Sequence, residues 1–326
     1  MMSKRMKISC VVLLFSLLFA ASAFAAEVDP ALSGYEAVSG VSGNLKAIGS
    51  DTLNNLMALW AEGFKALYPT VKISIEGKGS STAPPALIEG TAQFGPMSRE
   101  MKAQEVDEFE KKFGYKPTEL KVAVDALAVF VHKDNPIESL SLTQLDAIFS
   151  KNRAGGYPNE IATWGDLGLT GEWADKPISL YGRNSASGTY GYFKDVALFK
   201  GDYKDTVKEQ PGSSAVVQGV ASDKYGIGYS GVGYKTADVR IVPLSAGEGD
   251  EAFGATAENA YSGDYPLARF LYIYINKNPN EALDPLRAEF IKYIVSKEGQ
   301  GAVIKDGFYP ISKALADLNL EMTGLK

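Results

Sequence analysis

The sequence predicts an α/β protein whose chain builds two lobes. Short apolar runs alternate with amphipathic helical segments along the whole chain, the pattern of an α/β fold. Two long apolar strands, 121–132 (KVAVDALAVFVH) and Ala268–Ile275 (ARFLYIYI), stand about 145 residues apart. No stretch rich in Gly, Ser or Pro marks a head-to-tail boundary. The two strands therefore read as crossovers of a chain that leaves one lobe, builds a second and returns.

The elements follow in order. Residues 45–48 form a short strand candidate. Residues 53–68 place Leu53, Leu56, Met57, Trp60, Phe64 and Leu67 at helical spacing, and Pro69 stops that helix. Residues 71–75 alternate apolar and polar like a strand. Helices are predicted at 84–89, 102–113 and Leu142–Phe149. The tail, 285–295 and 300–305, reads as helical and would close the first lobe. Gly226 to Gly231 (GIGYSG) reads as a tight loop, and no internal repeat or low-complexity tract is found.

The N-terminus has the marks of a cleavable export signal at residues 1–25. Lys4, Arg5 and Lys7 precede an apolar core, and Ala23-Phe24-Ala25 fits a small-x-small cleavage pattern. Cys10 precedes the core, where a lipid-anchor cysteine would follow it. Removing 25 of 326 residues leaves 301, enough for two domains, without the only cysteine. Removing three cations and no acid from a chain of net charge −6 leaves −9. Such a chain is a poor nucleic-acid binder, so no nucleic-acid partner is expected. An anionic ligand would have to be held by local dipoles and a few fixed donors.

Four segments have that local character. Gly49-Ser50-Asp51-Thr52, Gly79-Ser80-Ser81-Thr82, Met97-Ser98-Arg99-Glu100 and Arg183-Asn184-Ser185-Ala186-Ser187-Gly188-Thr189 each put small hydroxyl residues just before a predicted helix. A helix N-terminus leaves N–H groups unpaired and carries partial positive charge. Glycine allows close approach of an anion, and hydroxyls add donors. Ordinary N-capping explains any one such segment. Four together, two with an arginine, point to an oxyanion site. Arg183 and Arg99 can each offer paired bonds to a tetrahedral oxyanion.

Other chemistry is missing. The single histidine, His132, lies on a predicted strand and reads as structural. There is no HExxH, no Walker A and no GxGxxG before a helix, so no cofactor or metal is expected. Asp107 and Glu110 lie on a polar helix face.

At these residues the chain resembles the phosphate-binding proteins of the Pst phosphate ABC transporters, which are type 2 periplasmic binding proteins. The resemblance runs from about residue 45 to about residue 311 and is carried by GSDT at 49–52, GKGSST at 77–82, FGPMSRE at 94–100, RNSASGT at 183–189 and GIGYSG at 226–231. Thr163-Trp164-Gly165-Asp166 is also similar to a family turn. The resemblance implies a cleft between two lobes joined by two crossover strands. The lobes are expected at 26–125 plus 268–326 and at 126–267. It places ligand residues at Asp51 and Thr52, Ser80, Arg183, and Ser187, Gly188 and Thr189; Ser98 and Arg99 of the third segment are expected to join them. It implies capture of inorganic phosphate in the periplasm by a monomer and delivery to a membrane ABC permease.

One departure matters. Well-known family members place an aspartate in the third loop to accept the phosphate proton, while some members read Ser-Arg there; this chain has Ser98 followed by Arg99. Asp51 is the expected replacement, at a position where other members often carry a hydroxyl. Without an acceptor, sulfate, molybdate or tungstate would suit the site as well. A phosphatase using Ser80 or Ser187 as nucleophile lacks a metal cluster or placed histidine base. An adhesion or scaffold protein would not need converging anion loops.

Overall fold

The computed structural model describes residues 26–326, so the export-signal expectation lies outside the described residues. In chain order the elements are β1 (Asn44–Gly49), α1 (Asn54–Leu67), β2 (Lys72–Gly77), α2 (Ala83–Glu89), β3 (Phe94–Met97) and α3 (Ala103–Phe113). Next come β4 (Thr118–Ala126), β5 (Ala128–His132), β6 (Leu140–Ser141), α4 (Leu142–Phe149), β7 (Ser179–Arg183) and α5 (Gly188–Val196). They are followed by β8 (Lys208–Gln210), α6 (Ser213–Ser222), β9 (Gly226–Ser230), β10 (Val239–Ile241), β11 (Leu244–Ser245) and α7 (Ala257–Ser262). The chain ends with β12 (Ala268–Ile275), α8 (Pro285–Ile294), α9 (Lys297–Lys305) and α10 (Lys313–Thr323).

Two five-stranded sheets form the lobes, ordered β2-β1-β3-β12-β4 and β10-β5-β9-β7-β8. In the first, β1 runs parallel to β2 and β3, while β12 runs antiparallel to β3 and β4. The second sheet draws all its strands from between β4 and β12.

The first crossover differs from the single long strand expected at 121–132. The run divides at Leu127, and β4 and β5 belong to different sheets. Leu127 is tied to the return crossover: its N–H donates to Leu267 O at 3.0 Å, and Tyr265 Oη donates to its carbonyl at 2.9 Å. Continuous apolar sequence hides this break, because both halves are buried.

The first lobe's main core joins Leu56, Met57, Trp60 and Phe64 of α1 to Phe290, Ile291 and Ile294 of α8. Fully burying each such aromatic or aliphatic side chain is worth about 1.5–3 kcal/mol. Leu67, counted in the helical stripe, lies at the end of α1 and is exposed. The tail does close this lobe, with α10 added beyond the expected helices. Met97, Phe109, Tyr272 and Tyr274 fill the other face of the sheet.

Residues 226–231, expected to be a loop, instead supply β9, which pairs with both β5 and β7. The reason is close packing. A Cβ at Gly228 would lie 2.9 Å from side-chain carbons of Val216 and Val220, so glycine here lets α6 sit on the strand. His132, at the end of β5, accepts the Asp134 N–H on Nδ1 at 3.2 Å, a structural role.

Candidate functional site

The four hydroxyl-rich segments meet where the two sheets face each other. Thr52 leaves β1 toward α1, Ser80 lies in the turn before α2, Ser98 follows β3, and Thr189 is in the first turn of α5. All four are buried. The hydroxyls of Thr52 and Thr189 are 2.9 Å apart, those of Ser80 and Ser98 3.3 Å, and those of Ser98 and Thr189 3.5 Å. The Ser98 N–H also donates to Ser80 Oγ at 3.0 Å.

Capping does not account for these residues. No side chain caps α1 or α2. Only Ser187 plays that part: its Oγ accepts from Thr189 N at 3.1 Å and Tyr190 N at 3.4 Å, so it holds the start of α5. Gly188 is there for space. A Cβ on it would stand 2.3 Å from Ser80 Oγ and 2.7 Å from Ser98 Oγ. Across the same seam Ser81 N donates to Ala186 O at 3.1 Å.

Asp51 reaches between the sheets. Its Oδ2 accepts the Ser213 N–H at the start of α6 at 2.8 Å and lies 3.4 Å from Arg183 Nη2. Tyr234 Oη lies 3.1 Å from the carbonyls of both Asp51 and Thr52. Arg183 is almost fully buried at the end of β7; Nη1 donates to Ser213 Oγ at 2.8 Å, and Nε has no partner among the described residues. Burial works against its charge and Asp51 supports it. Among the described residues no hydrogen bond joins the four hydroxyls to a carboxylate.

Arg99 is placed differently. Its guanidinium makes a paired bond to Glu105, with Nη1–Oε2 at 2.8 Å and Nη2–Oε1 at 2.7 Å, and Nη2 donates to Ser81 Oγ at 3.3 Å. Its chain passes beside Gly191 of α5, where a Cβ would be 3.5 Å from Arg99 Cδ. Glu105 thus neutralises it at the cleft edge.

Three contributors were not singled out from sequence. Ser213 follows Pro211-Gly212, the same glycine and hydroxyl pattern as the other loops. Asp125 and Arg269 form a buried ion pair on the crossover strands, 2.7 Å between Arg269 Nη2 and Asp125 Oδ2. An acid inside KVAVDALAVFVH was the available signal.

Comparison with known proteins places this geometry. The profile of the PBP superfamily domain matches residues 35–298. A phosphate-binding protein PstS from Pseudomonas aeruginosa is 59% identical over 306 residues, 94% of each chain. The chain belongs to this family. A PstS from Staphylococcus haemolyticus is 30% identical, covering 80% of this chain and 79% of its own. Among solved structures, a phosphate ABC transporter substrate-binding protein from Clostridium perfringens, with phosphate bound, is 27% identical. It covers 83% of this chain and 100% of its own, with a TM-score of 0.71. The two-sheet architecture with two crossover strands is thus the binding-protein fold of the PstS family, and the hydroxyl cluster lies between its lobes.

Proposed function

We propose that this chain captures inorganic phosphate between its lobes and delivers it to a membrane ABC permease. The observation that carries this reading is the buried set of four hydroxyls, Thr52, Ser80, Ser98 and Thr189, drawn from both lobes and flanked by the start of α5. Small donors converging from two rigid bodies suit a tetrahedral oxyanion, and closure completes its hydrogen-bond shell. The lobes that close are 26–125 with 268–326, and 126–267. Arg183 supplies fixed positive charge, with Nε free to donate. Ser187 and Gly188 shape the start of α5, and Arg99 shields the edge.

Asp51 serves as the acceptor for the phosphate proton. Ser213 N–H and Arg183 hold its Oδ2, which keeps the carboxylate in place beside Thr52. Its second oxygen remains to accept. The chain acts as a monomer in the periplasm after losing residues 1–25, and it performs no catalysis. Among the described residues no helix is long and apolar enough to cross a membrane.

Calorimetric titration of the exported chain with phosphate, sulfate and molybdate tests the reading. Phosphate is expected to bind and sulfate hardly to bind. Equal affinities would make it a general oxyanion binder, and no binding of any of the three would overturn the proposal.

A further inference from the structure

The crossover strands carry a feature that their apolar character does not require. Asp125 on β4 and Arg269 on β12 stand directly opposite in the antiparallel register. Asp125 is wholly buried and the Arg269 side chain nearly so. Arg269 Nε and Nη2 both donate to Asp125 Oδ2, at 3.0 and 2.7 Å, while Asp125 Oδ1 accepts the Val232 N–H at 3.0 Å. A buried ion pair seldom stabilises more than apolar side chains of similar volume would. Its presence at the junction of the lobes asks for another use.

That use is visible in the donors left over. Arg269 Nη1 donates to Ser98 O at 2.9 Å, and Nη2 donates to Thr189 Oγ1 at 3.0 Å. One guanidinium therefore grips a residue from each side of the cleft. Tyr192 lies against it, its ring centroid 5.2 Å from Cζ, which leaves little freedom to turn. Arginine can only donate, whereas a hydroxyl has one proton to give and lone pairs to receive. With Arg269 occupying a lone pair of Thr189, the hydroxyl proton must point elsewhere. Its other neighbours, Thr52 and Ser98, carry hydroxyls that can themselves donate. An unprotonated phosphate oxygen among them accepts the Thr189 hydrogen bond.

We propose that Arg269, held by Asp125, is a positioning residue that commits the Thr189 hydroxyl to donate into the cleft. Arg269 does not itself touch the ligand. The pair is neutral as a whole, so its contribution is pre-organisation of a donor and not added charge. This rests on the phosphate reading above.

A mutant cycle in phosphate affinity tests it, using the full exported chain. Thr189→Val removes the hydroxyl. Asp125→Asn combined with Arg269→Gln removes the ion pair while leaving the junction neutral and hydrogen-bonding. Each is expected to weaken phosphate binding about tenfold, the usual effect of losing one well-placed bond to a charged group. All three changes together should weaken it no more than Thr189→Val alone, because Arg269 acts through that hydroxyl. Losses that multiply, or an unchanged affinity in the Asn/Gln variant, overturn the proposal. If the Asn/Gln variant does not fold, Arg269→Lys replaces it. Lysine still pairs with Asp125 but lacks the fork that reaches Ser98 and Thr189 together, so its affinity should also drop about tenfold. Parental affinity in Arg269→Lys would overturn the proposal. If the parent chain itself fails to bind phosphate, it is the function that is wrong and not this positioning role.

Discussion

The floor and the mouth of the cleft are built on opposite terms. At the floor, the hydroxyls of Thr52, Ser80, Ser98 and Thr189 are buried, and the nearby charges, Arg269 and Asp125, are matched to each other. At the mouth, Asp51, Asn54, Asn55, Ser214, Gly233, Tyr234 and Asp306 line a polar cavity of about 460 Å³. There Asp51 reaches across the seam to the Ser213 N–H, and one carboxyl oxygen of Asp306 has no partner among the described residues. The floor recognises by fixed distances, so small changes in shape should act there strongly. The mouth is tuned by charge and proton, so its residues should act by degree.

The largest effect expected is at the floor. Gly188→Ala would put a carbon 2.3 Å from Ser80 Oγ and 2.7 Å from Ser98 Oγ. Overpacking that neighbours can absorb costs about 1–3 kcal/mol, and here the neighbours are the ligand's own donors. Phosphate affinity should fall by about a hundredfold or more. The ligand-free melting temperature should barely move, because opening the lobes relieves the clash. Near-parental binding would show that the floor is not fixed by distance.

Arg183→Ala comes next. Hydrogen bonds to charged groups contribute about 1.5–3 kcal/mol, so affinity should drop roughly ten- to a hundredfold. Isothermal titration reads this directly. An unchanged dissociation constant would assign Arg183 to holding Asp51 and Ser213 alone, and would move charge recognition to another group.

Asp51→Asn sharpens the contrast, since it alters charge with little change of shape. An ionised carboxylate accepts the phosphate O–H but meets only lone pairs on sulfate. The ratio of phosphate to sulfate affinity should fall about tenfold, as expected for an unpaired acceptor costing about 1–3 kcal/mol. A ratio equal to that of the parent would make Asp51 a clasp on α6 and nothing more.

These residues were unequally legible in the sequence. Glycine and hydroxyl clusters exposed the floor because their local chemistry is unusual wherever it folds. The crossovers showed as apolar runs, yet Leu127, where the chain changes sheets, looks like its neighbours. GIGYSG reads as a loop because its glycine pattern follows no clear strand-to-helix turn; its packing against Val216 and Val220 is known only once α6 is placed. Asp51 was visible, but not its contact with Ser213, which lies 162 residues away. Long-range partners of this kind leave no spacing to read.

The smallest effect expected is a pH dependence at the mouth. Asp306 follows α9 and accepts a hydrogen bond from Asn55 Nδ2. Gly233 packs on its carbonyl so closely that a Cβ would stand 2.2 Å away, so closed lobes cover this residue. Burial pushes its carboxyl up to about 6, against an ordinary value of 3.8, with the Asn55 bond pulling the other way. The raised value means that the closed, folded protein favours the protonated acid. Its contribution to stability is full below about pH 4 and is lost as the pH rises through about 6. Two pH units correspond to roughly 3 kcal/mol, and partial access to solvent reduces this to about 1–2 kcal/mol. Asp306→Asn keeps the shape and removes the titration. In saturating phosphate the variant should melt about 2–4 °C above the parent at pH 7. The gap should close as the pH falls toward 4. Phosphate titrates over part of the same range, but it does so equally for both proteins, and only their difference is read. Parallel melting curves from pH 4 to pH 8 would show that Asp306 keeps its proton balance when the lobes close, and that the mouth is as indifferent to pH as the floor.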